Sequence, residues 1–141
     1  MSSTKPDASP TLIAGLVPKW ALAAFALDVF FVLLFTYVGS RSHDSGPVLV
    51  VLRIAWPFLV GLVAAWAVVV WRRWSGARVW PAGVVVWLGT YLIGMVLRGL
   101  TGEGLAPTFL VVSILFLGLT LLGWRGYVSA KLRYRSRRLA D

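Results

Sequence analysis

The chain has 141 residues, 59% of them hydrophobic, with 14 Lys and Arg against 5 Asp and Glu and no cysteine. So much apolar surface on so short a chain excludes a water-soluble domain, which would have nowhere to bury it. The missing thiols exclude disulfides, thiolate metal ligands and cysteine nucleophiles, and a net charge of +9 beside long apolar runs points to anionic lipid headgroups rather than nucleic acid as the charge partner.

In chain order, residues 1–18 carry Ser2, Ser3, Pro6, Ser9, Pro10 and Pro18 and are expected to form a flexible cytoplasmic tail. Lys19 then precedes the first apolar stretch, Trp20 to Val38. It is longer than the core of a signal peptide and no small-x-small cleavage site follows it, so an uncleaved span is expected. Three more stretches follow, Val48 to Trp71, Pro81 to Leu97 and Ala106 to Trp124, each close to the roughly 20 residues a helix needs to cross a bilayer core. The fold class this predicts is an all-α membrane protein: four transmembrane helices with short loops in a domain over residues 19–126, then a polybasic cytoplasmic tail over 127–141. Pro47, Pro81 and Pro107 stand near helix starts, where a missing N–H costs nothing. Pro57, inside the second span, is expected to free the Arg53 carbonyl and kink the helix.

Charge sets the orientation. Lys5, Lys19, Arg72, Arg73, Arg78, Arg125, Lys131, Arg133, Arg135, Arg137 and Arg138 fall on one side of the spans, against Arg41, Arg53 and Arg98 on the other. The positive-inside rule then places both termini in the cytoplasm. Trp20, Trp71, Trp74, Trp80 and Trp124 mark the same ends of the spans, as an aromatic belt at the interface would. The Ala, Val, Gly, Trp and Arg-rich vocabulary suits a bacterium with a GC-rich genome and hence a multi-pass protein of the bacterial plasma membrane.

Asp28 is the acidic residue inside a span, roughly 12 Å from the cytoplasmic end at 1.5 Å per residue. An ionised carboxylate there costs about 2.5 to 3.5 kcal/mol on insertion scales, which the surrounding Leu, Phe and Val outweigh. Two readings stand side by side. Asp28 is a proton or cation site, with Thr90 at similar depth in the third span, or it makes a structural hydrogen bond to another helix through Thr90 or Tyr91. Arg53, about 7 Å higher on the neighbouring helix, is a third candidate partner unless it snorkels outward.

Arg41, His43, Arg53 and Arg98 form a candidate outer-facing polar cluster suited to an anionic headgroup or small anion, against the plainer alternative of a solvated loop with an ion pair to Asp44 or Glu103. The neighbouring glycines lack a preceding strand and a following Lys-Ser/Thr, so they do not make a nucleotide loop. His43 and Asp44, flanked by serines, are adjacent in one loop, whereas a catalytic triad is assembled from distant, rigidly held positions. One His without cysteines supplies no metal site. No enzyme activity, metal or cofactor is expected. Lys131, Arg133, Arg135, Arg137 and Arg138 form a juxtamembrane basic segment whose expected partner is the headgroup layer of the lipid bilayer.

The order Asp28, then Gly39, Arg41, Ser42 and His43, then Pro57, Phe58 and Gly61, then Gly94, Met95, Leu97 and Arg98, then Thr108, Phe109 and Val112, and finally Gly123, Trp124 and Arg125 resembles a prokaryotic family of small four-helix membrane proteins known as domain of unknown function three thousand and fifty-four. The resemblance covers about residues 20 to 126. In the family pattern an Arg directly follows the loop glycine, whereas Ser40 stands there in this chain and Arg41 comes one later. The resemblance implies architecture and a membrane location, and no activity. The favoured function is a small transporter or channel in which Asp28 binds a proton or cation, and the alternative is a non-catalytic accessory or assembly protein. No internal repeat joins the two halves, so a transporter's symmetry would come from a homo-oligomer.

Overall fold

A computed structural model describes residues 18–40 and 47–139. The expected tail over 1–18 therefore lies, apart from Pro18, outside the described residues, as do Arg41 and His43. The described residues contain four long helices and no strand: α1 Lys19–Ser40, α2 Pro47–Trp71, α3 Val84–Leu100 and α4 Pro107–Arg138. A wide turn, Val79–Gly83, leads into α3, with Trp80 extended (φ −117°, ψ 134°) and joined to Pro81 by a cis peptide bond. Pro107 opens α4 at its first turn, as its missing N–H favours. Pro57 sits buried inside α2, which is helical on both sides of it.

With the wide turn counted into the third, all four helices are long and apolar enough to span a membrane, and only about a third of the apolar window in each of the first three is buried within the protein. Much of the remainder is exposed and apolar: Leu49, Leu119 and Trp71 are each more than three-quarters exposed. A soluble protein does not present such a continuous surface; a bilayer covers it.

The helices pack as a ring in which α2 touches α1 and α3, and α4 touches α3 and α1. The closest seam is α2 against α3. A Cβ on Gly61 would stand 2.9 Å from the Thr90 carbonyl oxygen, and one on Gly89 would stand 2.8 Å from the Ala65 Cβ. Small residues are what allow backbones to approach this closely where lipid offers no hydrophobic drive. Inside the ring Phe35, Phe58, Phe109 and Phe116 stack with centroids 5.3 to 6.3 Å apart, in the edge-on and tilted geometries their quadrupoles favour.

The helix α4 does not stop where the fourth apolar stretch does. It continues without a break to Arg138, so the basic segment expected as a tail after residue 126 is a helical prolongation. Its 32 residues span about 48 Å at 1.5 Å per residue, well beyond a hydrocarbon core of about 30 Å.

Candidate functional site

The inward stripe of α1 is Ala21, Ala24, Asp28, Val32, Phe35 and Thr36, the spacing of one helical face. Asp28 therefore points into the bundle, and it is fully buried. The inward stripe of α4 is Ser113, Leu117, Leu121 and Arg125, and its last member carries a guanidinium that is also fully buried. The two meet as a fork: Arg125 Nη1 donates to Asp28 Oδ1 at 2.8 Å and Nη2 donates to Oδ2 at 2.6 Å. This bidentate arrangement is the strongest geometry available to an Arg–carboxylate pair.

Two indoles complete the carboxylate's shell. Trp66 Nε1 on α2 donates to Oδ2 and Trp124 Nε1 on α4 donates to Oδ1, both at 2.9 Å. Each oxygen thus accepts two donors. The guanidinium is held from behind as well: Nε donates to the Gly76 carbonyl at 2.8 Å and Nη1 to the Leu121 carbonyl at 2.7 Å, while its carbon lies 4.5 Å from the Trp124 ring centroid, within cation–π range. Gly76, in the connection between α2 and α3, presses on Trp66, since a Cβ there would stand 2.4 Å from the indole. Gly83 makes room for the arginine stem, because a Cβ there would lie 2.8 Å from Arg125 Cδ. One cluster therefore ties α1, α2, α4 and the α2–α3 connection together at the end of the bundle where α1 begins.

This geometry corrects several expectations. Thr90 does not join Asp28: its hydroxyl is buried with no hydrogen-bond partner among the described residues, and Tyr91 donates instead to the Leu110 carbonyl. The reason is topological, because α3 lies across the ring from α1, which packs on α2 and α4. Arg53 is not the partner either, since its Nε lies 2.5 Å from Glu103 Oε1 at the opposite end. Arg125, counted among the charges on the cytoplasmic side, is fully buried, and Trp124, expected in the interfacial belt, turns inward to the carboxylate.

At that opposite end Glu103 stands between two arginines. Arg53 is largely exposed, and Arg98 Nη2 lies 3.8 Å from Glu103 Oε2. Arg98 also donates through Nε to the Gly104 carbonyl at 3.3 Å and lies 4.4 Å from the Phe109 ring centroid. These side chains, with Phe35 and Thr36, line a cavity of about 390 Å³. The ion pair with Glu103 satisfies much of what an anion would otherwise offer. Arg41 and His43, the other expected members, lie outside the described residues.

No group of three or more metal-ligating side chains occurs among the described residues. Sequence reasoning missed Arg125, Trp66, Trp124 and Gly76 as members of one site. A signal for Arg125 was available: stepping by four from Ser113 through Leu117 and Leu121 along the apolar face lands on it.

No curated protein and no solved structure matches the chain. A family model does, over residues 25–128, which corrects the extent of residues 20 to 126 expected from the residue order. The match takes in Asp28, Trp66, Gly76, Trp124 and Arg125 and ends before the basic prolongation of α4. The chain belongs to the family described as protein of unknown function (DUF3054).

Proposed function

We propose that this chain is a non-catalytic accessory or assembly protein of the bacterial plasma membrane, with both termini cytoplasmic, in which Asp28 and Arg125 lock the bundle rather than carry a proton or cation. One observation supports this reading above the transporter reading. Both Asp28 oxygens already accept two hydrogen bonds, one donor to each being a buried arginine. A transported proton or cation would have to displace a donor from a carboxylate that has no exposure to water. A bidentate arginine, itself bonded to the Gly76 and Leu121 carbonyls, fixes the carboxylate in one strongly bonded geometry.

The test is flux in proteoliposomes containing a lumenal pH dye, under an imposed pH gradient and a panel of ions, comparing the wild type with Asp28→Asn. The expected result is no flux above protein-free vesicles for either protein, with the variant unfolding more readily in detergent. Flux in the wild type that vanishes in a fully folded Asp28→Asn protein would overturn the proposal and establish the transporter.

A further inference from the structure

We propose that the prolongation of α4 and the start of the α3 turn form a defined binding cleft for the phosphate-bearing headgroup of an anionic phospholipid, distinct from the diffuse attraction of a basic segment to a charged leaflet. The cleft is lined by Val79 ahead of α3 and by Gly126, Ser129, Ala130, Arg133, Tyr134 and Arg137 of α4. Its volume is about 460 Å³.

Three features select this ligand. First, the charges are sorted by face. Arg133 and Arg137 are one helical turn apart and both line the cleft, whereas Lys131 and Arg135, equally basic and equally spaced, do not. Gly126 and Ala130 occupy the positions below the two arginines on the same face at steps of about four, so small residues create the hollow and arginines crown it. Second, no ion pair or hydrogen bond engages the guanidinium of Arg133 or Arg137 among the described residues, the Ser136 hydroxyl reaching only the Arg133 carbonyl, although Arg138 beside them donates to the Tyr134 hydroxyl. Two free guanidinium forks with the Ser129 hydroxyl supply the donors that phosphate oxygens accept.

Third, the cleft sits at the height of the headgroups. A hydrocarbon core of about 30 Å holds roughly 20 residues of α4 counted from Pro107, so the core ends near Gly126 and Arg133 stands about 10 Å beyond it. Helical side chains lean toward their own N-terminus, which for α4 lies across the membrane, so both arginines lean back toward the bilayer. The exposed Trp80 next to Val79 belongs at the same interface. The inference rests on the chain being a membrane protein and not on the role assigned to Asp28, so either outcome of the flux experiment leaves it standing.

The test uses the full chain in neutral detergent, titrated with phosphatidylglycerol or phosphatidylcholine, with bound lipid counted by native mass spectrometry. Three variants are compared: Arg133→Gln with Arg137→Gln, Lys131→Gln with Arg135→Gln, and Ala130→Leu. The first two remove the same charge at the same spacing from different faces; the third fills the hollow without changing charge. Retained helicity by circular dichroism qualifies each protein, and the substituted positions are exposed. The wild type is expected to prefer phosphatidylglycerol. The Arg133/Arg137 variant should lose about tenfold or more in affinity and the Lys131/Arg135 variant about twofold at most, as expected when direct charge-assisted contacts are removed in one case and only distant charge in the other. Ala130→Leu should fall with the first. Equal losses in the two charge variants, or an unaltered Ala130→Leu protein, would overturn the cleft in favour of diffuse attraction. Displacement of the lipid by inorganic phosphate at equal concentration would overturn the lipid as the ligand and leave free phosphate in its place.

Discussion

The buried pair can be tested by a double-mutant cycle on Asp28→Asn and Arg125→Gln. Both side chains have zero exposure, so each single substitution strands one charge in a dry site, a loss of about 3 to 5 kcal/mol where such pairs have been broken. The asparagine also replaces an acceptor oxygen by an amide nitrogen, and each Asp28 oxygen faces two N–H donors, so one indole and one guanidinium N–H lose their acceptor. The glutamine leaves the carboxylate with its two indoles alone and releases the carbonyls of Gly76 and Leu121. In the double variant no charge remains, and an asparagine carbonyl can still accept from an indole while a glutamine amide can still donate. The double variant should therefore cost less than the sum of the singles by about 2 to 3 kcal/mol, the upper range for residues in direct contact. The assay is equilibrium unfolding in mixed micelles with rising dodecyl sulfate, followed by far-ultraviolet circular dichroism. Single losses that add to the double within about 0.5 kcal/mol would refute the coupling.

Two further outcomes follow from the α2–α3 seam. Thr90→Val removes a buried hydroxyl that has no partner among the described residues and preserves the branched shape, so it should stabilise the protein by about 1 kcal/mol in the same unfolding assay; destabilisation would show that the hydroxyl has a partner in the membrane. Gly61→Ala brings a Cβ to 2.9 Å from the Thr90 carbonyl and 3.1 Å from its Cα. Backbone cannot yield as a flexible side chain can, so a loss of about 1 to 3 kcal/mol is expected, and an unchanged midpoint would mean that the two helices are not held this closely.

The four helices were legible because spanning length and apolarity are properties of contiguous segments, which a sequence displays directly. The prolines at 47 and 107 marked helix starts for the same local reason. Asp28 was legible as an anomaly, yet its partner was not, because pairing is a property of which helix faces which. Depth alone nominated Thr90, and depth is shared by every helix in the bundle; only the ring order, with α3 across from α1, disqualifies it. Arg125 was concealed by its neighbourhood. It stands just before a run of exposed basic residues and beyond the fourth apolar stretch, so a count of charges by side assigns it to water. The helix it belongs to does not end there, and its phase, continued from Leu117 and Leu121, turns the side chain inward. The prolongation was hidden by the same assumption that a helix ends with its hydrophobic stretch.

A buried ion pair is not an obvious way to stabilise a membrane bundle, since well-packed apolar side chains of similar volume often do as well or better. What it supplies is a penalty on every wrong arrangement. Lipid tails are as apolar as leucine, so apolar faces alone choose neither rotation nor register between spans. Along the α2–α3 seam the choice is made by Gly61, Gly89 and Ala65, which fit one depth of approach. Between α1 and α4 it falls to Asp28 and Arg125. Shifting either helix by one residue turns its side chain through about 100° and leaves two unpaired charges in a dry interior. The pairs at the other end exert less control, because the Arg53 partner of Glu103 is largely exposed, a kind of pair that contributes about 1 kcal/mol or less, and Arg98 stands 3.8 Å from the carboxylate without the bidentate geometry. The bundle is therefore specified from the end where α1 begins, where the α2–α3 connection through Gly76 is drawn into the same network. The opposite end, with its cavity and its solvated arginine, is the end with less to lose on opening.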